Sequence, residues 1–155
     1  MMTETTAPTT TRPATAQDLT VLVEMTCRFV DTTAYRTRVL TQRDHFRDTA
    51  QFLIDHGLML VAEQDGIVIG MVGALVITHP LLNVRAGTEL IWWVEPQARR
   101  SGVGRRLFDE AEQWARQQGA ALMQFTAYQD ATLERLYRSY GYVAKEVVFE
   151  KDLNL

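Results

Sequence analysis

At 155 residues the chain is long enough for one domain with a sizeable core and too short for two comfortable ones. Its formal charge of -3 argues against broad electrostatic binding to nucleic acid or an anionic membrane, although its arginines cluster locally. A single cysteine, Cys27, leaves no intrachain disulfide and no thiolate cluster, and the scattered His45, His56 and His79 lack the spacing of a zinc helix, so no metal is expected.

No apolar run approaches the roughly 20 residues that span a bilayer. Met1 to Thr11 is threonine-rich and lacks the apolar stretch of a signal peptide. The expectation is a cytoplasmic protein with a disordered lead-in over residues 1–10 and one domain over residues 11–155.

Thr10 to Pro13 reads as the end of a short first strand. Thr15-Ala16-Gln17-Asp18 resembles a capping box with Asp18 in place of the usual Glu or Gln. Leu19, Leu22, Val23, Met25 and Phe29 recur at helical spacing and predict a helix to about Val30, in which Cys27 is a small buried hydrophobe. The polar stretch from Asp31 to Leu40, with Tyr35, Arg36 and Arg38, reads as a loop. Thr41, with Asp44 three residues on, opens a second helix that Gly57 stops. Two β-rich runs, Leu58–Ala62 and Ile67–Ile77, flank Asp65-Gly66, the signal for a hairpin with a type I′ turn. Gly70 and Gly73 mark a bulge or a close approach within the second run.

Thr78 to Gly87 reads as a loop. Leu90 to Val94 is continuously apolar, as in a strand covered on both faces, and Pro96 ends it. A helix from about Val103 carries Leu107, Phe108, Ala111, Trp114 and Ala115 on one face and closes at Gly119. Ala121 to Ala127 is the next strand, Asp130 caps a helix ending at Gly141, and Tyr142 to Leu153 forms one long strand or a bent pair. The order predicts a mixed α/β sheet of six to seven strands flanked by about four helices. The crossover from Ile91 to Phe125 makes those two strands parallel.

At the break after Pro96, Gly102 and Gly104 remove two side chains where the backbone enters a helix. The first amides of that helix lack internal partners and carry partial positive charge. Arg99, Arg100, Arg105 and Arg106 surround the spot, either as a solvated face or, with the glycines, as an anion site. A dinucleotide fingerprint would want glycine where Leu107 stands, and a Walker loop would want Gly-Lys-Ser/Thr where Gly104-Arg105-Arg106 stands. Both fail.

Arg99-x-x-Gly102-x-Gly104, directly after the Val94-x-Pro96 strand end, resembles the Gln/Arg-x-x-Gly-x-Gly/Ala signature of the GNAT superfamily of N-acetyltransferases. Arg12-Pro13-Ala14-Thr15-x-x-Asp18-Leu19 looks like that family's first strand and helix, and Tyr137 with Tyr140-Gly141-Tyr142 looks like its late segment. Together the three motifs cover nearly the whole chain. The resemblance implies a GNAT-like fold with a splayed parallel strand pair, acetyl-coenzyme A as donor, and a primary amine of a small molecule or peptide as acceptor. It implies a pyrophosphate site on Arg99, Arg100, Ser101, Gly102, Val103, Gly104 and Arg105. The pantetheine arm would lie along Trp92, Trp93 and Val94 like an added strand. Where the family often has an asparagine contacting the cofactor, this chain has Asp130, which also reads as an N-cap.

Tyr137 matches the family tyrosine proposed to protonate the coenzyme A sulfur; on its residues alone it is also a core aromatic in line with Leu133 and Tyr140. Glu89 opens an otherwise apolar strand, close to where some family members place a base, and burial would raise its pKa toward a base's working range. Its alternatives are a solvated strand-end carboxylate, or a water chain serving as base. Glu95 reads as a solvated or turn-capping group, and a backbone N–H near Val94 as the oxyanion donor. The chain is then an N-acetyltransferase or, from a different class, a non-catalytic acetyl-coenzyme A sensor or interaction module. Its acceptor pocket is expected from residues 31–40, residues 78–87 and the final strands, and an apolar edge along the last strand offers a homodimer contact.

Overall fold

The computed structural model describes residues 7–37 and 42–154. Thr41 as a helix start and Arg38 as a pocket residue lie outside them, as does most of the expected lead-in. The elements in chain order are β1 (Thr10–Pro13), a short 3-10 turn, α1 (Leu19–Asp31), α2 (Arg43–His56), β2 (Leu58–Gln64) and β3 (Ile67–Thr78). Then follow β4 (Arg85–Val94), a second 3-10 turn at Pro96–Ala98, α3 (Val103–Gln117), β5 (Leu122–Gln124) and α4 (Ala131–Ser139). One mixed sheet runs in the order β1-β2-β3-β4-β5, antiparallel except for the parallel β4–β5 pair.

Local chemistry sets several of these boundaries. Asp65 and Gly66 both take positive φ, 54° and 76°, as a type I′ turn requires. The Thr15 N–H donates to the Asp18 carboxylate at 2.8 Å, the return half of a capping box. Arg12 clasps the same carboxylate through two bonds of 2.8 and 2.9 Å, which ties β1 to the entry of α1. The Arg12 guanidinium holds the Asp18 carboxyl below its ordinary pKa.

Strand alternation divides the core into two layers. Val61, Met71 and Trp93 face α1 and α2 with Leu22, Met25 and Leu53; Ala62, Val72 and Val94 face α3 with Val103, Leu107 and Ala111. The register slips between Gly73 and Ala74. Gly73 pairs Ile91 and Ala74 pairs Glu89, so Leu90 is an extra, unpaired residue, a β-bulge. A Cβ at Gly73 would sit 2.8 Å from Leu53 Cδ1, which explains the close approach there.

Three expectations need correction. The sheet has five strands among the described residues, not six or seven, because residues 142–153 form no ladder. The β5 edge of the sheet is three residues long and offers few hydrogen bonds to a strand of that length. Val147, Val148 and Phe149 stay exposed, so the apolar edge for a homodimer is not a sheet edge. β4 begins at Arg85, within the expected loop, because Arg85 to Gly87 pair with Val76 to Thr78. Gly87 suits this position, since a Cβ would lie 2.8 Å from Ala115 Cβ on α3, closer than such contacts allow. No helix among the described residues is long and apolar enough to cross a membrane.

Candidate active site

β5 pairs with β4 only from Ala86 to Thr88, and the two strands then part. From Glu89 to Val94 the β5-facing side of β4 has no strand beside it. The Glu95 N–H donates to the Ile69 carbonyl at 2.8 Å, so by alternation the backbone groups of Trp92 and Val94 face the opening. The Val94 carbonyl is used there by Arg99 Nε at 2.9 Å.

Thr126 marks the parting. Its N–H donates to Glu89 Oε2 at 3.2 Å instead of to a backbone carbonyl, which is why β5 ends two residues earlier. Its carbonyl accepts the Tyr137 hydroxyl at 3.0 Å. Glu89 is 5% exposed, and burial pushes its carboxyl up to about 7, with the Thr126 N–H pulling weakly the other way. Glu89 is therefore not a solvated strand-end carboxylate. Burial, with Glu89 second, lifts the Tyr137 phenol far above its usual range, so it stays protonated. The Tyr137 ring stacks on Trp92 and Phe108, with centroids 6.0 and 6.1 Å away, so it is also the core aromatic that its helix face implied.

At the far end of β4, Arg100 and Gly102 take positive φ, 69° and 88°, and swing the chain into α3. The first helical bond runs from the Arg106 N–H to the Gly102 carbonyl, so the amides of Val103, Gly104 and Arg105 have no helical partner. Trp92 Nε1 donates to the Gly104 carbonyl at 3.1 Å and fixes the helix start against the strand. Ser101 donates to the Ala98 carbonyl at 2.6 Å.

The arginines divide. Arg99 lies over the Trp93 ring, 4.6 Å from its centre, and Arg105 pairs with Asp109 at 2.8 Å while covering Tyr140. Arg100 is exposed and has no protein partner among the described residues. Three open amides, a glycine without side-chain bulk and one uncommitted cation suit an anion. Asp130 caps α4, its Oδ1 accepting from Thr132 and Leu133 at 2.9 and 3.1 Å.

Trp92 and Trp93 point to opposite layers, the first to Tyr137 and Phe108, the second to Phe29 and Arg99. Glu95 is buried and takes Arg28 Nε at 3.0 Å, so the reading of it as solvated or turn-capping is corrected. Its partner comes from α1, 67 residues away, a distance over which no spacing rule operates. Thr126 and Tyr128 escaped the sequence altogether: Thr126 acts through its backbone, and Tyr128 sits in a polar connection without periodicity.

Residues 24–142 match the sequence model of the acetyltransferase (GNAT) family. No curated protein matches the sequence. Among solved structures, a GCN5-related N-acetyltransferase from Ralstonia eutropha JMP134 superposes with a TM-score of 0.78 at 23% identity, over 94% of this chain and 99% of that one. An aminoglycoside 6'-N-acetyltransferase from Acinetobacter haemolyticus gives 0.70 at 24% identity, over 93% and 99%. A predicted acetyltransferase from Clostridium acetobutylicum, solved with acetyl-CoA, gives 0.77 at 16% identity, over 95% and 97%.

Proposed function

The chain belongs to the acetyltransferase (GNAT) family and is an acyltransferase; from that premise we propose that it moves the acetyl group of acetyl-coenzyme A to a primary amine of a small molecule or peptide by direct attack. The observation that carries this reading is the meeting of Glu89 and Tyr137 on Thr126, at the point where the parallel strands part.

The donor side fits the residues present. The amides of Val103, Gly104 and Arg105, with the Arg100 side chain, would hold the pyrophosphate. The open backbone edge of Trp92 and Val94 would hold the pantetheine arm as a strand partner. Arg99 and Ser101 shape the turn, and Asp130 serves as a cap whose carboxylate is already occupied. Acetyl-coenzyme A, when bound, supplies an activated thioester.

Glu89, in its ionised form, takes a proton from the incoming ammonium. With its carboxyl near 7 it is close to the ideal strength for that task at neutral pH. The Val94 N–H faces the opening and can donate to the developing oxyanion. Tyr137, held protonated by burial, gives its hydroxyl proton to the departing sulfur. A homodimer through the exposed Val147, Val148 and Phe149 is also part of this reading, to be checked by light scattering.

The test is coenzyme A release against a panel of primary amines. Amine-dependent release supports transfer. Tight acetyl-coenzyme A binding without release for any amine would favour the non-catalytic sensor instead.

A further inference from the structure

We propose that the Tyr128 hydroxyl is the acceptor-binding group of this enzyme, and that the acceptor is a primary amine carried on an uncharged aromatic or aliphatic body. The inference rests on the amine-transfer reading above and deepens its acceptor side.

Tyr128 lies in the connection from β5 to α4, two residues beyond Thr126. It and Gln129 both take left-handed φ, 48° and 59°, a costly conformation for non-glycine residues and one that concentrates at functional sites. The strained turn aims the ring rather than relaxing it. Tyr128 meets Phe29 edge-on at 5.2 Å and 82°, and Phe29 meets Trp93 edge-on at 6.2 Å. Three rings, from the turn, α1 and β4, thus form one continuous wall beside the site.

The polar atoms of this wall are without hydrogen-bond partners among the described residues. Tyr35, Tyr137 and Tyr142 donate to Glu150, the Thr126 carbonyl and Glu112, whereas the Tyr128 hydroxyl has no hydrogen bond among the described residues. It is half-buried, and burial pushes its pKa up to about 12, with Glu89 and Tyr35 as its electrostatic neighbours. The Trp93 indole N–H is buried and equally without a partner. A phenol oxygen next to Glu89 can accept from an ammonium N–H and hold its nitrogen toward the carboxylate that must take the proton.

Charge and shape select the body of the substrate. Of the carboxylates bordering the wall, Glu95 is neutralised by Arg28 and Glu150 accepts from Tyr35, while Arg99 over Trp93 adds positive charge. A polycation would need free acids there. Beyond Tyr35 lies a cavity of about 370 Å³ lined by Val30, Tyr35, Phe46 and His45, with room for an apolar group.

The experiment is steady-state coenzyme A release with phenethylamine, hexylamine, spermidine and kanamycin, using wild type, Tyr128→Phe and Tyr128→Asn. The wild type should favour the two monoamines by at least about tenfold in kcat/KM, and Tyr128→Phe should raise the monoamine KM by about tenfold, the loss expected of one hydrogen bond to a charged group, with KM for acetyl-coenzyme A unchanged. Tyr128→Asn should raise the amine KM similarly yet keep or increase Tm, because asparagine tolerates the left-handed turn. A merely structural tyrosine would instead lose Tm in Tyr128→Asn and leave the amine KM alone. An amine KM within twofold of wild type in Tyr128→Phe, or preference for the polycations, overturns the inference. A wild type that releases coenzyme A with no amine overturns the transfer reading itself, and this inference with it.

Discussion

Glu89 and Tyr137 hold the two backbone groups of one residue: the Thr126 N–H donates to Glu89 at 3.2 Å, and the Thr126 carbonyl accepts from Tyr137 at 3.0 Å. The side chains come from β4 and α4, 48 positions apart, and a single residue just past β5 fixes both. Neither polar group is left unsatisfied in the interior, although both are largely withdrawn from water.

Replacing Tyr137 by Phe removes the proton donor and one neutral hydrogen bond while keeping the stacked ring. We expect kcat to fall by at least about 100-fold, the scale of lost general-acid catalysis, with stability down by about 1 kcal/mol. Calorimetry should find acetyl-coenzyme A affinity within about twofold of wild type. A variant that keeps its kcat would remove Tyr137 from the mechanism.

The pH dependence of the wild type should follow Glu89. Its carboxyl is raised from 4.5 to about 7, so the folded state holds a proton that the unfolded state releases over that range. Stability from this group is therefore full below about 4.5 and is lost as pH rises through about 7. Activity runs the other way, with kcat/KM climbing through about 7 as the base ionises. Glu89→Gln keeps an oxygen for the Thr126 N–H and should abolish both trends. Parallel chemical-denaturation and rate profiles at pH 4.5 to 8.5 would check this, and an unchanged ascending limb in the variant would assign it elsewhere.

Arg100 should contribute to donor affinity and not to stability, since it is exposed and has no partner among the described residues. Arg100→Asn, which tolerates the left-handed φ of 69°, is expected to raise KM for acetyl-coenzyme A several-fold and to reduce its salt dependence, with Tm unchanged. Equal salt dependence in both proteins would place the anion site away from this residue.

Gly102→Ala should cost about 1 kcal/mol although nothing lies within 4 Å of the added Cβ, because the strain of φ +88° is conformational. Gly102→Asn should recover much of that loss in urea unfolding. Equal stabilities for the two variants would contradict the account.

The pair Arg28–Glu95 gives a stability test independent of chemistry. Arg28→Met leaves a buried carboxylate without its cation and should cost about 2–3 kcal/mol, most of which Arg28→Met with Glu95→Gln should restore. Strict additivity of the two substitutions would show that the residues do not act as a pair.

Features fixed by neighbouring residues were legible in the sequence. Asp65-Gly66 carries its own turn geometry, Asp130 caps the helix it precedes, and Gly102 and Gly104 mark where the strand turns into the helix. Features set by distant partners were not. β4 extends back to Arg85 because Thr78 lies opposite it, and Glu95 is buried because Arg28 on α1 neutralises it. The run Val147-Val148-Phe149 has every local mark of a strand, but a strand needs an edge to pair with, and local composition does not reveal whether one exists. In the site, Glu89 and the glycine turn stood out by residue type and spacing, and Tyr137 through the resemblance to the family's late segment. Thr126 acts through its peptide groups and Tyr128 is placed by a backbone conformation, neither of which leaves a mark on residue type.

The extra residue at Leu90 decides which layer of the core the acid beside it enters. Side chains alternate along a strand with period two, so Glu89 and Ile91 would share a face in a regular ladder. The bulge sets them on opposite faces, Ile91 with Gly73 and Glu89 with Ala74. The carboxylate is thus assigned to its side of the sheet by a count, like a reading frame. Were Leu90 taken into the ladder opposite Ala74, Glu89 would fall opposite Leu75 and turn toward the layer of Leu22 and Met25. The face the acid occupies is therefore set by the register of the ladder as much as by the residue at position 89.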